Sequence, residues 1–237
     1  MTFPFLNRDG KVTLKYFKIN FFLNKGTLIT MKMKYYQMLT CCRAKKNAYI
    51  WHETNMKEYG LEENSFLEGR DFSSFSGRLK VEPGDRYGQY GDLDDGLQGT
   101  MVWLPVISTA VKEKFLERGV DGLQYIPVDV KTENGEIEYW IVNCIYCTNA
   151  FDYENSTYIT KSFFTNDPRD DKIIRYVKHY VLDEEKVLGH DMFVLDYYPY
   201  RRVIVSGKIK NIFLKNKFSG WGFYPTVSLS RNGKIIE

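Results

Sequence analysis

Residues 106–127 read VISTAVKEKFLERGVDGLQYIP, and residues 204–225 read IVSGKIKNIFLKNKFSGWGFYP. The two phrases align without a gap. Ser108 falls on Ser206, Lys112 on Lys210, Phe115 on Phe213, Leu116 on Leu214, Gly122 on Gly220 and Pro127 on Pro225. An Asn-Gly pair follows each, at Asn134-Gly135 and Asn232-Gly233. Self-similarity on this scale constrains the architecture before any single motif does. In each copy a short apolar run ends at a serine whose hydroxyl can cap a helix. Apolar residues at Val111, Phe115 and Leu116, and at Ile209, Phe213 and Leu214, then fall along one side of a helix and predict a buried stripe. Gly119 or Asn216 is placed to take the left-handed turn that stops the helix. A strand follows, and the Asn-Gly pair marks a hairpin. Each copy therefore predicts a strand, a capped helix and a second strand.

The flanking sequence is strand-like. Segments 34–41, 47–52, 101–107, 122–130 and 136–147 are rich in aromatic and β-branched residues, as are 172–183, MFVLDYY and RRVIVS. Pro83 to Gly99, PGDRYGQYGDLDDGLQG, reads as a loop from its Gly and Asp content. The expected fold is α+β, a strand-rich, mixed and mostly antiparallel sheet with few short helices, containing two related strand–helix–strand units. Residues 1–30 lack a clear amphipathic period and read as an extension, with Met31 or Met33 competing with Met1 as the start. Residues 31–237 read as one domain with an internal repeat at 106–138 and 204–236.

A chain of 237 residues with 43% hydrophobic content can bury a sizeable core. No apolar run is long enough to span a bilayer, and the N-terminus lacks the pattern of a signal peptide, so a cytoplasmic protein is expected. The net charge of +3 conceals a segregation. Residues 1–48 carry ten Lys and Arg against one acid, residues 199–237 carry eight against one, and the stretch between holds fifteen against twenty-eight. The C-terminal lysines recur among apolar residues with helical spacing, which favours ends folded against an acidic middle over a nucleic-acid-binding tail.

Candidate chemical motifs fail on spacing. Cys144 and Cys147 form a C-x-x-C, but in a strand residues three apart point to opposite faces. Cys41 and Cys42, being adjacent, are poorly placed to chelate one ion, so reduced structural thiols are expected and no metal or other cofactor. GQYGDLDDG, residues 88–96, lacks the Lys-Ser/Thr of a phosphate loop, and Trp103 stands where a calcium loop would close with glutamate. His52, His179 and His190 are scattered, and Arg201-Arg202 on a strand cannot grip one anion together. No motif signals catalysis, and the chain reads as a non-enzyme.

Val-Ile-Ser before a short helix, then DGLQYIPV, an F-D-x-x-x-S segment at AFDYENSTY, and GHDMFVLD before RRVIVSGKIK resemble one family. SFLEGRDFSSFSG adds to the likeness, which covers roughly Tyr35 to Pro225. The pattern resembles bacterial immunity proteins of polymorphic toxin systems, the eleventh family of that series, first catalogued as a domain of unknown function. The resemblance implies a cytoplasmic protein that binds and neutralises a cognate toxin domain, and it carries over no catalytic residues. It implies neither a membrane nor a nucleic-acid partner, and it leaves the oligomeric state open. If the toxin is a nuclease with a basic groove, Asp85, Asp92, Asp94 and Asp95 with Tyr87 and Tyr90 suit it by charge and aromatic anchoring. Two alternatives compete. One is a nucleic-acid-binding module using Lys208, Lys210, Lys215 and Lys217. The other is a small enzyme assembled from the scattered His, Cys and Asp. Within the repeat, the shared residues are structural. The differences are surface charges: Glu113 against Asn211, Glu117 against Lys215, and Asp121 against Ser219.

Overall fold

The computed structural model describes residues 2–6, 12–16, 34–40, 47–51, 55–61, 63–83, 93–99, 104–132, 134–160, 174, 176–197 and 200–236. The chain divides into two compact units, Met1–Lys32 and Met33–Glu237. In the first, β1 (Thr2–Leu6) and β2 (Val12–Tyr16) pair antiparallel. The second unit holds the repeat.

Its first half forms a closed six-stranded barrel. After β3 (Tyr35–Thr40), which belongs elsewhere, come β4 (Asn47–Trp51), two short 3-10 turns, β5 (Leu79–Pro83) and β6 (Leu93–Gly99). Then follow β7 (Pro105–Ser108), α1 (Thr109–Glu117), β8 (Leu123–Thr132) and β9 (Gly135–Cys144). The barrel order is β4-β5-β8-β9-β7-β6. Strands β7 and β8 lie on either side of β9 and both run antiparallel to it. Helix α1 is thus the crossover of two parallel strands that a third strand separates. Inward-facing Leu79, Val81, Leu97, Val106, Ile126, Val128, Val130 and Ile141 fill the barrel with Phe66.

The second half follows the same plan. It contains β10 (Cys147–Thr148), β11 (Thr157–Ile159), β12 (Tyr176–Asp183), α2 (Glu184–Val187), β13 (Met192–Tyr197) and β14 (Tyr200–Ser206). Next are α3 (Gly207–Asn216), β15 (Trp221–Tyr224), β16 (Val227–Arg231) and β17 (Lys234–Ile236). One sheet has the order β10-β13-β14-β3-β15, the other β11-β12-β16-β17. Here β3 lies between β14 and β15, antiparallel to both, as β9 lies between β7 and β8. The registers agree: Ser108 faces Tyr139 and Ser206 faces Tyr35, while Leu123 faces Cys144 and Trp221 faces Thr40. Strand β12 runs parallel to β16 as β5 does to β8, and the bridge between Phe151 and Leu182 stands where β4 meets β5. The second half is therefore the same barrel with its ladder interrupted. Where β8 runs unbroken through Pro127, the chain breaks at Pro225-Thr226 into β15 and β16. Where β9 is one strand, β17 and β3 share its place.

Helices α1 and α3 pack on each other, with Phe115 and Phe213 meeting at 6.3 Å between ring centroids. Val111, Ile209, Ile107, Val205, Val142, Met38 and Trp221 join them in a core shared by both halves. Within the second half, Tyr35, Phe151, Tyr180, Leu182, Phe193 and Ile204 form the counterpart of the barrel interior.

Several expectations need correction. Residues 93–99 are a strand, not part of a loop, and Gly96 belongs there because the Trp221 ring lies where its Cβ would be. The strand expected over 136–147 breaks at Ile145-Tyr146, so Cys144 and Cys147 sit on different strands. Leu116 and Leu214 are 57% and 61% exposed, because the buried stripe runs through Val111 and Phe115, and through Ile209, Ile212 and Phe213. In α3 the left-handed stop is Lys217 at φ 58°, and Asn216 instead donates to the Ile212 carbonyl at 2.8 Å.

Candidate interaction surface

The polar groups of the repeat hold it together in pairs. Ser108 accepts from the Val111 amide and donates to Asp95, both at 3.4 Å. Its counterpart Ser206 accepts from the Lys208 amide at 3.2 Å and donates to Asp191 at 2.8 Å. Asp95 on β6 and Asp191 just before β13 occupy matching stations, one residue ahead of Gly96 and Met192, which pair with the residues before the two serines. Neither aspartate was expected in this role, although GHDMFVLD and LDDGLQG, read against one another, would have aligned them. Lys112 stands over the Trp140 ring at 2.9 Å from its centroid, and Lys210 over Tyr36 at 4.1 Å. Burial lowers the Lys112 pKa. Tyr139 donates to the Asp94 carbonyl at 2.9 Å and Tyr35 to the Val187 carbonyl at 2.5 Å, and burial raises both phenol pKa values.

Of the six acidic-segment residues, Asp85, Tyr87, Tyr90 and Asp92 lie outside the described residues. Asp94 is buried, at 1% exposure. Asp95 accepts from the Ser219 amide at 2.9 Å and its hydroxyl at 3.1 Å, so it clips the two halves together. Of the four lysines, Lys208 donates to Asp191 at 2.6 Å and to the Gly119 carbonyl at 2.8 Å, and Lys210 is held by Tyr36. Lys215 and Lys217 remain on the exposed surface. His179 meets Ser228 at 3.0 Å and His190 stacks on Tyr146 at 3.7 Å, while His52 lies outside the described residues. Burial pushes the Cys144 thiol up to about 12 and raises that of Cys147, which disfavours reactive thiolate at either. Among the described residues no group of three or more His, Cys, Asp or Glu is placed to hold a metal ion. An open depression of about 490 Å³ is lined by Tyr146, Cys147, Thr148, Asn149, Lys186 and Asp196. No helix among the described residues is long and apolar enough to cross a membrane.

The model of the immunity protein family (Imm11) matches residues 35–228, spanning both halves from β3 to β16. The chain belongs to the Imm11 immunity protein family. No curated protein matches it. The matched span begins at the first residue of β3, so the family pattern includes the strand that completes the second half. In this Imm11 chain the described His and Cys side chains serve packing and local hydrogen bonds, and the two repeat copies differ in charge at exposed positions, Glu113 against Asn211 and Glu117 against Lys215.

Proposed function

We propose that the protein acts in the cytoplasm by binding a cognate toxin domain and blocking it, without catalysis. Membership of the immunity family over residues 35–228 carries this reading. The repeat supports it, since Asp95, Asp191 and Lys208 fasten the fold and leave recognition to exposed surface. We assign the first contact to the acidic segment through Asp85, Tyr87, Tyr90 and Asp92. Asp94 and Asp95 anchor its C-terminal root. Such a surface suits a toxin whose groove is basic, as in enzymes that act on nucleic acid. The nucleic-acid-binding alternative loses support, because Lys208 and Lys210 are engaged within the fold.

Co-expression with its cognate toxin domain should restore growth, and the two should co-purify. Soluble protein that neither rescues growth nor binds the toxin would sink the reading. Asp85→Lys with Asp92→Lys should slow association with the toxin at low salt while leaving thermal unfolding unchanged. Unaltered association kinetics would remove the segment from the interface.

A further inference from the structure

We propose that the outer faces of α1 and α3 together form a self-association surface, on which a second copy of this chain docks about a two-fold axis running along the helices. Phe115 and Phe213 occupy matching stations in the repeat and touch, which sets the two helices level at these residues. Lys208 in the first turn of α3 reaches the Gly119 carbonyl beyond the end of α1, so the helices lie side by side and antiparallel. The outward residues include Glu113 and Leu116 on α1, and Asn211, Leu214 and Lys215 on α3, all exposed. Two leucines at 57% and 61% exposure thus flank the centre of a face otherwise rimmed by charge.

The charges settle how a second copy fits. Glu113 precedes Phe115 by two residues and Lys215 follows Phe213 by two, each a rise of about 3 Å. Because the helices are antiparallel, both displacements point the same way, and Glu113 and Lys215 stand level with one another. Neither takes part in an ion pair among the described residues. A two-fold along the helices exchanges left for right and preserves height. It lays α1 of one copy over α3 of the other, setting Glu113 against Lys215 twice, with the leucines interleaved between. The two-fold perpendicular to the helices would instead stack α1 on α1, bringing Glu113 over Glu117. Opposite charge selects the first arrangement. Two short helices bury little area, which places the association in the weak, transient class.

Sedimentation equilibrium across the micromolar range tests this. Wild-type protein should show a concentration-dependent dimer. Glu113→Lys and Lys215→Glu should each weaken it at least about tenfold, since each places two like-charge pairs in the dimer. Mixing the two variants in equal amounts should restore wild-type association as a heterodimer, which a misfolded variant could not do. Three results would each overturn the proposal: a wild-type protein monomeric throughout, single variants that dimerise as wild type does, or a mixture that stays monomeric. A monomeric wild type whose Glu113→Lys variant fails to bind the toxin domain would assign the face to the toxin instead, and would also overturn it.

Discussion

Gly220 and Lys217 show how differently a left-handed backbone can be tolerated. Gly220 sits at φ 96°, and a Cβ there would strike the Gly96 carbonyl and lie 2.8 Å from the Asp94 Cβ. Backbone strain and a clash with a neighbouring strand combine, so Gly220→Ala should lose about 3 kcal/mol or more in urea unfolding. Lys217 ends α3 at φ 58°, where its counterpart Gly119 ends α1 at φ 61° with open space around it. A residue with a Cβ is strained in that conformation and glycine is not. Lys217→Gly should therefore stabilise the protein by about 0.5–1 kcal/mol, read from the same transition.

The two helices begin on equivalent serines that are not equally invested. Ser206 is 1% exposed, with short contacts to Asp191 and the Lys208 amide, whereas Ser108 is partly exposed and 3.4 Å from both its partners. Ser206→Ala should cost about 2 kcal/mol, because it also takes from the buried Asp191 one of its two side-chain partners and leaves it Lys208 alone, and Ser108→Ala nearer 0.5–1 kcal/mol, compared by urea midpoints. Capping serines, helix cores and hairpins were legible in the sequence, because each depends on residues a few positions apart. Leu116 and Leu214 were misread because periodicity does not say how wide a face the neighbouring helix will cover. Strand β6 was misread because LDDGLQG draws its order from Ser219 and Trp221, which are remote in sequence. Asp94 and Asp95 entered the candidate surface for the same reason. Their charge was visible, and the partners that occupy them were not.

At the scale of the molecule, barrel and interrupted barrel share one core, and a strand from ahead of the first completes the second. Residues 33–145 and 146–237, expressed as separate fragments, should therefore associate and co-purify, since β3 belongs to the first and pairs within the second. The second fragment alone should stay unfolded, as judged by circular dichroism, because β14 and β15 have no strand between them. A stably folded 146–237 would contradict the pairing described. The placing of β3 also sets an order in time. Strands β4 to β9 meet partners made shortly before or after them, and can pair while the chain is still being synthesised. Strand β3 leaves the ribosome before all of these, yet its neighbours at Ser206 and Trp221 come near the end. Until then it is an unpaired edge, the element most exposed to mispairing in a stalled or truncated chain. Among these strands, the one made first is placed last.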